Sequence, residues 1–159
     1  HGHNPADFTL LSFGGAGGQH ACALASMLGM RQVLIPYDAG LLSAYGIGHA
    51  KTERFREALI LQPLHSAAAN LPEKVKQLYA DASAQLQREG YEVSKIQLSQ
   101  CLVFVRFRGQ ESALELNVSP QLLTVQGLLR LFRKKYTSIF GHWLANREIE
   151  LESVRVVAA

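Results

Sequence analysis

Apolar residues gather at Phe8, Leu10, Leu11 and Phe13, then give way to Gly14, Gly15, Gly17 and Gly18. An alanine-rich run with helical spacing follows at once. That order predicts a short strand, a glycine turn and a helix over 19–28. Residues 32–36 are β-rich and stop at Pro36, the pattern of a short buried strand. Glycines punctuate 37–48 around Leu41, Leu42, Tyr45 and Ile47, which reads as a helical segment. Residues 50–64 pass from a charged stretch at 51–57 to an apolar one at 58–61 and predict a strand-like connector.

From about residue 63 the periodicity changes. Val75, Leu78, Tyr79, Ala82 and Leu86 recur at helical spacing, with Pro72 in the first turn and Gly90 as the stop, so a helix is expected over 72–89. Residues 96–107 alternate with apolar side chains on both parities, which predicts a central strand covered on both faces. Gly109 and Gln110 turn the chain into a second strand at 113–118, forming a hairpin. Ser119 and Pro120 are expected to open a helix carrying Leu122, Leu128, Phe132 and Tyr136, which Gly141 ends. A last strand covers 149–157. Glu148, Glu150 and Glu152 share one of its faces, as on a solvated edge.

Composition changes this picture little. Hydrophobic residues make up 48% and charged residues 18% of 159, which supports a real core in one domain or two small ones. A formal charge of +3 is too small to imply nucleic acid, and the cluster Arg130, Arg133, Lys134, Lys135 reads as a solvated helix face. Cys22 and Cys101 lie in apolar surroundings, as buried free thiols of a reducing compartment would. No run is long enough to span a bilayer, no signal-peptide pattern is visible, and a cytoplasmic location is expected. The six histidines lack paired zinc spacing; His1 and His3 could take up a metal adventitiously. Arg106, Arg108 and Gln110 at the hairpin turn either face a cleft or partner, or are solvated beside the turn at Gly109.

The glycine run holds the candidate chemistry. Glycines between a strand and a helix let a ligand reach the backbone without meeting a Cβ, and the first-turn N–H groups favour an anion. The spacing fits neither the dinucleotide fingerprint nor the P-loop, and no lysine follows. A purely structural reading, close packing of strand on helix, stays open.

Asn4-Pro5-Ala6-Asp7-Phe8, the run from Phe13 to Ala21 and the segment from Gly40 to Gly46 closely resemble, in order, the wording of the hydantoinase/5-oxoprolinase family. The resemblance is to the C-terminal part of its A-type half, and Gly18-Gln19-His20 with Ser43-Ala44-Tyr45-Gly46 looks most like the 5-oxoprolinase branch. Fainter likeness continues at 106–110 and 140–156. The pattern of elements gives an α/β plus α+β chain, and the resemblance implies that its first part is actin-like. Residues 1–62 would be a strand–glycine loop–helix–strand piece of an actin-like (ribonuclease H-like) domain, and residues 63–159 a small α-β-β-α-β domain.

It also implies an ATP-dependent hydrolase that opens a cyclic amide with the help of Mg2+, paired with a B-type subunit or half. Gly14, Gly15, Gly17 and Gly18 would contact the nucleotide, and His20 either reaches the ligand or caps and packs in the first helical turn. The catalytic residues of that family lie in segments with no counterpart here. The chain is therefore expected to be a fragment, inactive alone and prone to self-association through an exposed strand edge. The hydantoinase and ketone-carboxylase branches remain alternatives, as does a non-catalytic subunit-interaction domain.

Overall fold

Strands β1 (Leu10–Leu11) and β2 (Val33–Leu34) pair in parallel, Leu10 opposite Val33 and Leu11 opposite Leu34. Parallel neighbours need a crossover, and helix α1 (Gly17–Met27) supplies it. A 3-10 turn at Pro5–Asp7 precedes them, capped by the Asn4 side chain, whose Oδ1 accepts from the Ala6 N–H at 3.2 Å. Helix α2 (Leu42–His49) follows. The computed structural model describes residues 3–159 and divides between Lys51 and Thr52.

The first unit buries little: Ala21 and Ala25 on α1 and Ser12 beside β1, with no buried residue on α2. The expected buried strand at 32–36 is thus corrected. Only Val33 and Leu34 are paired, and Leu34 and Ile35 are 57% and 52% exposed. A parallel pair is normally covered on both faces, and this one has a single neighbour strand.

The second unit is organised by non-local pairing. Residues 50–64, read as a strand-like connector, contain β3 (Arg54–Pro63), a full strand antiparallel to the last one, β6 (Ile149–Ala158). The unit therefore starts some ten residues before the expected boundary at 62/63. After β3 come a short α3 (Leu64–Ala67), α4 (Leu71–Arg88), β4 (Leu98–Phe107), β5 (Leu114–Asn117) and α5 (Val125–Phe140). The expected α-β-β-α-β order lacks its opening strand. The four strands form an antiparallel sheet in the order β3-β6-β4-β5.

Both long helices pack on one face of that sheet. Leu71, Val75 and Leu78 of α4 and Leu128, Phe132 and Tyr136 of α5 share a core with Val103, Val105, Phe107, Leu151, Val154 and Val156. Phe107 lies edge-on to Phe132 and Tyr136, with ring centroids 5.2 and 5.0 Å apart. β4 is central, as expected, but helices cover only one of its faces. On the other, Arg155 pairs with Glu57 at 2.8 Å and lies over the rings of Phe55 and Phe104. Strand β6 lies between β3 and β4, so its glutamates do not line an edge.

Helix α5 begins later than expected. Ser119 and Pro120 lead only into a 3-10 turn, Pro120–Leu122, and the helix is capped by Thr124, whose Oγ1 accepts from the Gly127 N–H at 3.1 Å. Gly127 is required by close approach, because a Cβ there would lie 2.4 Å from the Leu122 carbonyl oxygen. Gly141, at φ +75°, ends the helix in the left-handed conformation.

Candidate functional site

The four glycines after β1 separate by what the backbone asks of them. Gly14 has φ +87°, a conformation L side chains avoid, and its N–H donates to the Ala39 carbonyl at 2.8 Å. That bond extends the β1–β2 hydrogen-bonding, in which Leu10 and Ser12 donate to Gln32 and Leu34. Gly17 opens α1 against buried Ser12; a Cβ there would lie 3.0 Å from Ser12 Oγ. Gly15 and Gly18 differ: neither has positive φ, and neither would bring a Cβ within 4 Å of another residue. Close packing thus accounts for Gly17 and chain reversal for Gly14. Neither reason applies to Gly15 and Gly18.

Helix α1 has Ala16 as its N-cap and no side-chain cap; the Gly17 and Gln19 N–H groups donate instead to the Gly14 and Ala16 carbonyls at 3.3 and 3.2 Å. His20 is exposed in that turn and does not cap it. Cys22, expected in the core, is exposed, because Ala21 and Ala25 form the inward row and residue 22 lies about 100° around the helix from it. Cys101 is buried, and burial pushes its thiol up to about 11. His1 lies outside the described residues, among which no group of three or more His, Cys, Asp or Glu could hold a metal ion.

The hairpin arginines belong to the sheet. Arg106 donates from Nε and Nη2 to Glu150 Oε1 at 2.9 and 2.8 Å, and from Nη1 to Glu152 Oε1 at 3.0 Å. Its side chain is 19% exposed, so the solvated reading is corrected for Arg106 and for its two glutamates. Arg108 keeps 70% exposure, and the hydrogen bond and charge of Glu148 hold its guanidinium still further in the charged form. Gln110 bridges inward, its Oε1 accepting from the Phe107 N–H and its Nε2 donating to the Tyr136 hydroxyl, both at 3.3 Å. Charge alternation at 148, 150 and 152, opposite that at 106 and 108, was the available signal for this pairing.

Two solved structures share the fold. A nucleotide-free acetone carboxylase superposes with a TM-score of 0.75 at 22% identity, and the ATP-dependent caprolactamase from Pseudomonas jessenii with 0.76 at 24%. Each comparison covers 99% of this chain and 24% of the other. The class is thus the mixed α/β fold of these enzymes. Residues 1–56 match the family described as hydantoinase/oxoprolinase, and the chain belongs to that family. A 5-oxoprolinase of Pestalotiopsis fici is 32% identical over 157 residues, 98% of this chain. The chain spans 12% of that relative's length.

Proposed function

We propose that this chain is a segment of an ATP-dependent enzyme of the 5-oxoprolinase branch, which opens a cyclic amide, and that its glycine loop touches the nucleotide. The observation that carries the loop's role is the pair Gly15 and Gly18, glycines with no demand from torsion or packing. Beside them lies the uncapped start of α1, a place suited to a phosphate. Gly14 and Gly17 hold the loop in shape, Gly15 and Gly18 let the ligand approach, and His20 lies within the same turn. Mg2+ would accompany the nucleotide, bound by residues outside the described segment.

The first unit is read as part of an actin-like domain. Leu11, Phe13, Leu34 and Ile35 are about half exposed around a two-stranded parallel sheet, and further strands and helices would cover them. The α+β unit then follows it, and a B-type half would be the partner. Alone, the segment would not catalyse. The free thiols suit a cytoplasmic enzyme, and no helix among the described residues is long and apolar enough to cross a membrane.

An amide-NMR titration with Mg·ATP tests the loop. Shifts concentrated at 14–20, and lost in Gly15→Val, are expected. No shift up to millimolar ligand removes the loop's nucleotide role in this chain. A second reading, the ketone-carboxylase branch, draws on the likeness to acetone carboxylase. Joining the segment to the remainder of a 5-oxoprolinase and assaying ring opening of 5-oxoproline separates the two, since only the first reading restores turnover.

A further inference from the structure

Between Glu115 and Glu148 the sequence holds no Asp or Glu but five cations: Arg130, Arg133, Lys134, Lys135 and Arg147. In the sheet, Arg54, Arg106, Arg108 and Arg155 each pair with a glutamate, and Arg56 donates to the Phe55 carbonyl and the Gln85 side chain. On α5 the situation is reversed. Arg130, Arg133 and Lys134 are exposed, and among the described residues none of them forms an ion pair. Lys135 is engaged by the Glu115 carbonyl, to which its ammonium donates.

Apolar surface runs beside that charge. Val125 and Leu129, each 38% exposed and one turn apart, lie next to the row of Arg130, Arg133 and Lys134, and Phe140, 48% exposed, lies about three turns further along the same side of α5. A shallow groove of about 550 Å³ lies along this face, lined by Gln126, Leu129, Arg130, Arg133, Lys134 and Thr137. A solvated helix face needs no apolar stripe, and a phosphate-tracking face gains nothing from Leu129. An apolar strip rimmed by uncompensated cations suits a helix with one apolar and one acidic side. The same face of a second copy is unsuitable, because it would bring like charges together.

We propose that the exposed face of α5 docks an acidic amphipathic helix of a partner protein. Its apolar side would lie on Leu129 and Phe140, and its carboxylates would meet Arg130, Arg133 and Lys134. The surface is independent of whether the glycine loop takes a nucleotide, and its test contains none.

The probe is a designed helical peptide of about four turns, long enough to be helical when bound, with leucines on one face and glutamates on the other. Binding to the full chain is followed by fluorescence polarisation and amide NMR. Expected are a dissociation constant in the micromolar range that weakens with salt, and shifts centred on 125–140. Arg130→Glu with Lys134→Glu should weaken binding by at least about tenfold. Leu129→Gln should weaken it several-fold, while Lys76→Glu on α4 leaves it unchanged; circular dichroism confirms that each variant is folded. The proposal is overturned by no binding up to millimolar peptide, or by binding that survives both the charge reversal and Leu129→Gln. Tighter binding of single-stranded DNA or phosphatidylserine vesicles than of the peptide also overturns it.

Discussion

Gly15→Val and Gly14→Ala should behave as opposites, although the two glycines are neighbours. Gly14 sits at φ +87°, so alanine there is expected to cost about 1–2 kcal/mol in the unfolding free energy. Gly15 has open space around it and ordinary torsion, so valine should change stability by less than about 0.5 kcal/mol while blocking ligand approach. Chemical denaturation of both variants, beside the Mg·ATP titration, checks the pair. The sequence showed where the glycines lie and which family they resemble. It could not sort them by role, because torsion and contact exist only once β1, α1 and the Ala39 carbonyl are placed. The cysteines make a second case at this scale. Their apolar neighbours suggested burial of both, yet only Cys101 is buried. Iodoacetamide at mildly alkaline pH should label Cys22 alone in the native protein and both residues in denaturant, since a thiol pushed up to about 11 carries almost no thiolate there. Native labelling of Cys101 would mean that β4 opens readily.

At the scale of elements, helix α5 shows where pattern suffices and where it stops. Its apolar positions and its stop at Gly141 follow from periodicity and a glycine signal. Its start does not, because Ser119-Pro120 and Thr124 are both good openings and the choice falls to the Leu122 carbonyl packed against Gly127. Thr124→Ala should therefore cost about 1 kcal/mol, while Ser119→Ala costs much less. Gly127→Ala gives the sharper outcome. In most helices that change stabilises by up to about 1 kcal/mol, but here the new methyl meets a backbone oxygen, and a net loss of about 1–3 kcal/mol is expected. Thermal melts of the three variants suffice. Strand β3 was legible as a strand-like connector, but its membership of the sheet was not, for another reason. Its partner β6 lies some ninety residues away, and no local pattern records a pairing of that range. Arg106 was misread for the same cause, since Glu150 and Glu152 are remote in the chain and adjacent only in the sheet.

For the molecule as a whole, the two units differ in how much they bury. The second has a large apolar core, whereas the first, among its described residues, buries two alanines and a serine. Hydrogen exchange should accordingly show strong protection for amides of β4 and β6 and weak protection throughout 3–51. Equal protection in the two regions would contradict this distribution. Acid should act on the second unit through Glu89, whose carboxyl is held below the usual glutamate range mainly by its hydrogen bond from Arg54, with a further bond from Gln85. Because the folded state holds that proton less tightly than the unfolded chain does, the contribution is complete above the ordinary glutamate range. It fades as the pH falls through the lowered value. Glu89→Gln should flatten the acid limb of the stability profile, and this is measured by denaturant midpoints across that range.

The sheet of the second unit has two outer strands, and each is finished differently. On the β5 side, the Lys135 ammonium occupies the outward carbonyl of Glu115. On the β3 side, the register slips between Leu59 and Gln62, Leu61 turns to φ +49°, and Pro63 closes the strand without an N–H to offer. A charge guards one border and a kink interrupts the other. Neither presents the long, flat, unobstructed row of amides on which a cross-β fibril grows. Concentrated solutions of this chain, should they thicken, ought to do so through uncovered apolar side chains, which crowd most densely in its first unit. Such aggregates would be amorphous and would not bind amyloid dyes.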